Sequence, residues 1–187
     1  PRSAASGEAL VATPLERLVA AGARPVGPDG FDADELALRI RSAEPFSSLT
    51  DDEARTLIAF LNLAEVDAGV RFVSEGDPSD FVLLVVRGAV EVLRRNANGY
   101  PSRLAVAEAG TAIGEMSMFD AGPRFGSCDA LEPTRIAVLT RAGLEQLMAA
   151  EPSLACRLLV GWAGLLSARL RESGARLFLQ LEAARSA

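Results

Sequence analysis

Within the stretch 113–127, IGEMSMFDAGPRFGS, one carboxylate and one guanidinium stand toward either end of a short segment punctuated by glycine and proline. Glu115 can accept hydrogen bonds from hydroxyl groups, and Arg124 offers a planar, always-charged fork that matches a phosphate. Gly114 lets the backbone approach a ligand closely. Peptide N–H groups of a helical turn starting near Glu115 can point at negative charge. Residues of these types in this order suit a small ligand that carries both hydroxyls and an anion.

What the chain lacks narrows the chemistry further. All 19 basic residues are arginine; lysine and histidine are absent. That removes a phosphate-loop lysine, a Schiff base, histidine-ligated metals and histidine acid/base catalysis. A net charge of −6 and a pI near 4.8 leave no overall electrostatic footprint for nucleic acid, so DNA binding is not expected. Cys128 and Cys156 have neither metal nor redox spacing and read as reduced, mostly buried thiols, which fits a cytoplasmic protein. No continuous apolar run approaches the ~20 residues of a membrane span, and the N-terminus does not read as a signal peptide. Pro1 stands where an initiator methionine would, so the chain is expected to be an excerpt, the sensory end of a longer protein.

The 187 residues, 49% hydrophobic, suffice for one ordinary domain and an extension. Residues 1–12 predict disorder or a linker remnant. Thr13-Pro14 before Leu15, Leu18 and Val19 predicts a short capped helix, and 22–30, with two prolines and three glycines, reads as a linker. Asp32 caps a helix to about residue 40. Thr50 and Glu53 form a capping box for the next, with Leu57, Ile58, Phe60 and Leu61 on its buried face. From Ala64 the apolar period changes from 3.6 to 2. Strands are predicted at 66–69, 71–73, 81–87, 89–94, 104–107, 127–130 and 135–139, with a hairpin turn at Asn98-Gly99. Thr140 caps a helix to 150, and Pro152 starts another to about 172, interrupted by Gly174 before a tail near 177–181. Leu154, Leu158, Leu159, Trp162, Leu165 and Leu166 make that helix apolar on more than one face, so it needs two partners. The fold class is mainly β with flanking helices, an antiparallel, jelly-roll-like β-roll. The expected divisions are an extension at 1–30, helices at 31–63, the roll at 64–139 and C-terminal helices at 140–187.

Gly-Glu-apolar-Ser-apolar, then Pro-Arg and Ser127 three places after the arginine, closely resembles the phosphate-binding cassette of cyclic nucleotide-binding domains of the catabolite activator and protein kinase A regulatory-subunit type. The resemblance covers about 46–171. It implies that Arg124 pairs with a cyclic phosphate and that Glu115 accepts a hydrogen bond from the ribose 2′-hydroxyl. Gly114, Met116 and Ser117, with the amides of Phe125 and Gly126, would complete the cradle; Val92 and Leu104 would line the sugar and base side. Trp162, Leu165 and Arg169 of the last helix would cover the base, although Trp162 is equally suited to core or dimer packing. Family members usually carry a small residue and then alanine where this chain has Phe125 and Gly126. Because a hydroxyl after the arginine often accompanies cGMP preference, Phe125 tilts the expectation toward cAMP.

By the same resemblance, ligand favours the state with the last helix docked, and that helix signals to an attached or separate effector or across a homodimer. Nothing follows it that reads as a helix-turn-helix. Three other readings stand beside the sensor. Glu115 and Arg124 form an ion pair in a roll that has lost its ligand; or the chain is a docking module without nucleotide. A cupin-like metalloenzyme is disfavoured by the missing histidines, so neither catalysis nor a cofactor is expected.

Overall fold

The structure, a computed structural model, describes residues 12–27 and 30–185, so the disorder expected for 1–12 lies almost wholly outside the described residues. Local signals set the helix starts. Thr13 and Glu16 form a capping box at α1 (Pro14–Ala20). β1 (Arg24–Val26) follows, and Asp32 accepts amide hydrogen bonds at the start of α2 (Ala33–Ser42). Thr50 and Glu53 form a second capping box at α3 (Asp51–Ile58). The strands β2 (Asn62–Val66), β3 (Arg71–Val73), β4 (Phe81–Arg87), β5 (Ala89–Arg95), β6 (Pro101–Glu108) and β7 (Ala112–Ile113) lead into α4 (Glu115–Asp120). β8 (Ser127–Ala130) and β9 (Thr134–Thr140) come next; Thr140 caps α5 (Arg141–Ala150), and α6 (Pro152–Arg185) follows.

Two antiparallel sheets face each other, one in the order β1-β2-β9-β4-β7 and one in the order β3-β8-β5-β6. β4, FVLLVVR, shows how two cores are built from one strand. Phe81, Leu83 and Val85 point between the sheets, while Val82, Leu84 and Val86 face the helices. β9 divides in the same way, with Ile136 and Val138 on the inner side and Ala137 and Leu139 on the helix side. Burial on both faces is why β4 reads as an unbroken apolar run. The helix-side core takes Leu36 and Ile40 from α2, Leu57 from α3, Leu147 from α5, and Leu158 and Trp162 from α6.

The structure corrects four expectations about elements. The supposed linker at 22–30 contains β1, whose Pro25 is tolerated because the strand is at a sheet edge. The strand expected at 66–69 lies at Asn62–Val66, with Ala68-Gly69 in the turn after it, so both β1 and β2 carry the sheet across the boundaries expected at 30 and 63. β7, only two residues long, is additional. Gly174 does not interrupt α6, which continues to Arg185; a glycine at an exposed interior position weakens a helix by about 1 kcal/mol without having to break it.

Candidate ligand site

Gly114 has φ 91°, a left-handed conformation, just before α4. A Cβ there would sit 1.9 Å from Arg124 Nη1, so both backbone and space require glycine. Arg124 is only 6% exposed. Its Nη2 donates to Phe81 O at 2.9 Å and its Nη1 to Gly114 O at 3.2 Å, and the guanidinium lies 3.9 Å from the centroid of the Phe81 ring. The β3–β4 loop fixes its backbone: Arg124 N–H donates to Asp77 O, and Arg124 O accepts from Gly76 N–H, each at 2.9 Å. Among the described residues no carboxylate forms a salt bridge with Arg124, and its buried Nε has no hydrogen-bond partner. Burial pulls its pKa down to about 10, against the opposing pull of Asp80 and Glu115.

Glu115 is 3% exposed and is paired with Arg169 of α6, not with Arg124. The ion pair between the two cassette residues is therefore not formed. Ser117 Oγ donates to Pro123 O at 3.4 Å, tying the start of α4 to the segment that carries the arginine. These groups surround a cavity of about 260 Å³. One end is polar, with Gly114, Glu115, Ser117, Arg124 and Arg169; the remaining wall is largely apolar, with Leu83, Val92, Ala105, Ile113 and Cys128. The first-turn amides of α4 have no partner within that helix. Polar end and apolar wall together suit a ligand with an anion and hydroxyls on one side and a flat apolar-faced group on the other.

Of the residues singled out in the sequence, Gly114, Glu115, Met116, Ser117, Arg124, Phe125, Gly126, Val92 and Arg169 come together on this cavity. Leu104 does not: β5 and β6 slip register at Val92/Leu93, Val92 pairs with Ala105, and Leu104 is turned to the half-exposed outer face. Ser127 accepts from Glu75 N–H at 3.0 Å and is outside the lining, so its role is to hold the β3–β4 loop. Trp162 is 1% exposed and packs edge-on against Phe46 and Phe119, in the core and away from the cavity; Leu165 packs on the same core. Leu83, Ala105, Ile113 and Cys128 were missed, because β4 and residues 104–107 of β6 are apolar at successive positions and nothing in the sequence marks which side faces the cavity. Gly126 has a local reason: a Cβ there would be 2.7 Å from Leu93 O, so the family's usual alanine would collide with β5. A larger trough of about 510 Å³ elsewhere on the surface is lined by Arg24, paired with Asp67, Arg135, paired with Glu65, and Arg87. No group of side chains able to hold a metal occurs among the described residues.

A double-sheeted antiparallel roll with a glycine-led cassette against its inner face defines the class of cyclic nucleotide-binding folds. Residues 63–151 match the cyclic nucleotide-binding domain family. A cyclic nucleotide-binding domain from Methylobacillus flagellatus is 34% identical, with a TM-score of 0.72 over 84% of this chain and 89% of that one. The chain belongs to this family. The Cyclic AMP receptor protein of Thermus thermophilus is 31% identical over 75% of this chain and 64% of its own, and the catabolite activator protein structure from that organism aligns at 30% identity and a TM-score of 0.65, covering 72% of this chain and 62% of that one. A CRP-like cAMP-activated global transcriptional regulator of Mycobacterium tuberculosis is 27% identical over 77% of this chain and 61% of its own length. The chain thus spans somewhat under two thirds of these two curated relatives.

Proposed function

We propose that this chain is the sensor of a larger regulatory protein, binding cAMP in preference to cGMP and signalling through α6. The observation that carries the reading is Arg124: a buried guanidinium without a carboxylate partner, held by two carbonyls on the wall of a cavity whose other buried charge is Glu115. A buried unpaired cation is costly, and a ligand phosphate would compensate it. The ribose would engage Glu115, the carboxylate that Arg169 grips from α6, so binding and the position of α6 compete for or share one group. Phe125 offers guanine no side-chain hydrogen bond.

The output is an attached or separate effector, or a homodimer formed through the exposed Leu170, Leu177 and Leu181 of α6. Among the described residues α6 alone is long and apolar enough by length and composition to cross a membrane. Its Leu154, Leu158 and Trp162 are packed into this domain, which supports a helix that belongs to the fold and is not inserted in a membrane. A ligand-free docking module is the second reading, favoured by the Arg169 side chain already on Glu115.

Thermal unfolding with cAMP, cGMP, a cyclic dinucleotide and 5′-AMP tests the sensor. Ligand at a hundredfold over Kd adds about 2.7 kcal/mol, a midpoint rise of roughly 5–10 °C for a domain of this size. The rise should be largest with cAMP and vanish in Arg124→Ala. No rise with any of the four compounds would leave the docking module standing.

A further inference from the structure

We infer that Phe125 and Met116 form the lip on which the heteroaromatic base of the ligand stacks, with Arg94 fixing the aromatic ring from one side. The inference rests on the cyclic nucleotide reading and deepens it by naming the groups that receive the base.

The cavity is graded in depth and in character. Of its charged residues Arg124 and Glu115 are 6% and 3% exposed, and Arg169, reaching in from α6, has a side chain 47% exposed; Phe125 and Met116 are each 49% exposed. They alone among the large exposed apolar side chains of the described residues line this cavity. Two half-exposed apolar side chains on a site whose Arg124 and Glu115 are buried suit a group with flat, poorly hydrated faces, and the base is that part of a nucleotide. Met116 supplies a polarizable thioether that adapts to a ring placed against it.

The Phe125 ring is held before any ligand arrives. The Arg94 guanidinium lies 3.7 Å from its centroid. Arg94 Nε is in turn 3.9 Å from Glu75 Oε1, Glu75 Oε2 accepts from Arg95 N–H at 2.9 Å, and Glu75 N–H donates to Ser127 Oγ at 3.0 Å. The chain of contacts runs from the β3–β4 loop through β5 and β8 to the ring. One face of Phe125 is covered by a cation, so the ring enters a stack already oriented, with little conformational freedom left to lose. The bulk that departs from the family pattern is on this account a receiving surface and not an obstruction.

The test compares cAMP with ribose 3′,5′-cyclic phosphate, which lacks the base, by calorimetry on the full chain and on Phe125→Ala, Phe125→Trp and Arg94→Ala. Phe125→Ala should weaken cAMP binding about tenfold and leave the base-free compound unchanged, Phe125→Trp should restore cAMP affinity, and Arg94→Ala should fall between. Unfolding midpoints without ligand report whether each variant remains folded. Equal losses for both compounds would mean that Phe125 merely positions Arg124, and unchanged or tighter cAMP binding in Phe125→Ala would mean that the ring obstructs; either overturns the lip. Wild-type protein that binds neither compound would remove the nucleotide reading itself, and the lip with it.

Discussion

Arg124 and Cys128 line the same cavity and are shifted in opposite senses by one cause. Burial disfavours charge, so the guanidinium falls to about 10 and the thiol rises to about 12. Their effects on stability oppose each other. Folded Cys128 keeps its proton where the unfolded thiol, near its ordinary value of 9.0, has lost it; its contribution is complete below pH 9 and is lost as pH rises through 12. Arg124 runs the other way, because above about pH 10 the folded chain sheds a proton that the unfolded chain retains. Cys128→Ala should therefore show less alkaline destabilisation than wild type between pH 9 and 11 in chemical unfolding. Cys128 is buried as expected, but Cys156 is exposed on α6, so at pH 8 a thiol reagent should modify Cys156 quickly and Cys128 only on unfolding. Two thiols reacting at one rate in the native protein would contradict the burial argument.

Among the elements, α6 and the cassette meet at one polar contact, Arg169 on Glu115. Arg169→Ala should leave a buried carboxylate unpaired, lower unfolding stability by about 1–3 kcal/mol, and uncouple the protection of α6 amides from ligand. Hydrogen exchange with and without cAMP checks this: α6 protection that still responds to ligand in the variant would show that the signal travels another way. The cassette was legible because glycine, proline and arginine at fixed intervals leave few alternatives for the backbone. β4 and β9 were legible as strands, but that each serves two cores was not, since a run such as FVLLVVR has no polar face to mark direction. β1 was hidden by Pro25, which signals a linker unless the strand is known to lie at an edge. Leu104 was misplaced by the slip at Val92/Leu93, because a bulge changes the face of every residue beyond it without any compositional mark. The partner of Glu115 depended on the path of α6 over the roll, which no local spacing encodes.

At the scale of the molecule, residues 167–185 of α6 are exposed along their length, with Leu170, Leu177, Phe178 and Leu181 on the surface. So much apolar area on a helix beyond the core points to a second helix against it. Sedimentation should give a dimer for wild type and a monomer for the Leu170→Glu, Leu177→Glu double variant, and an equal mass for both would exclude α6 as the interface. The same overhang has a mechanical meaning. From Arg169 to Arg185 a helix rises roughly 24 Å, at 1.5 Å per residue, so a tilt of about 10° at the cassette displaces the far end by about 4 Å. If α6 carries the signal as proposed, it would act as a lever pivoting on the Arg169–Glu115 ion pair, and its length would set how far a small adjustment at Glu115 displaces the far end.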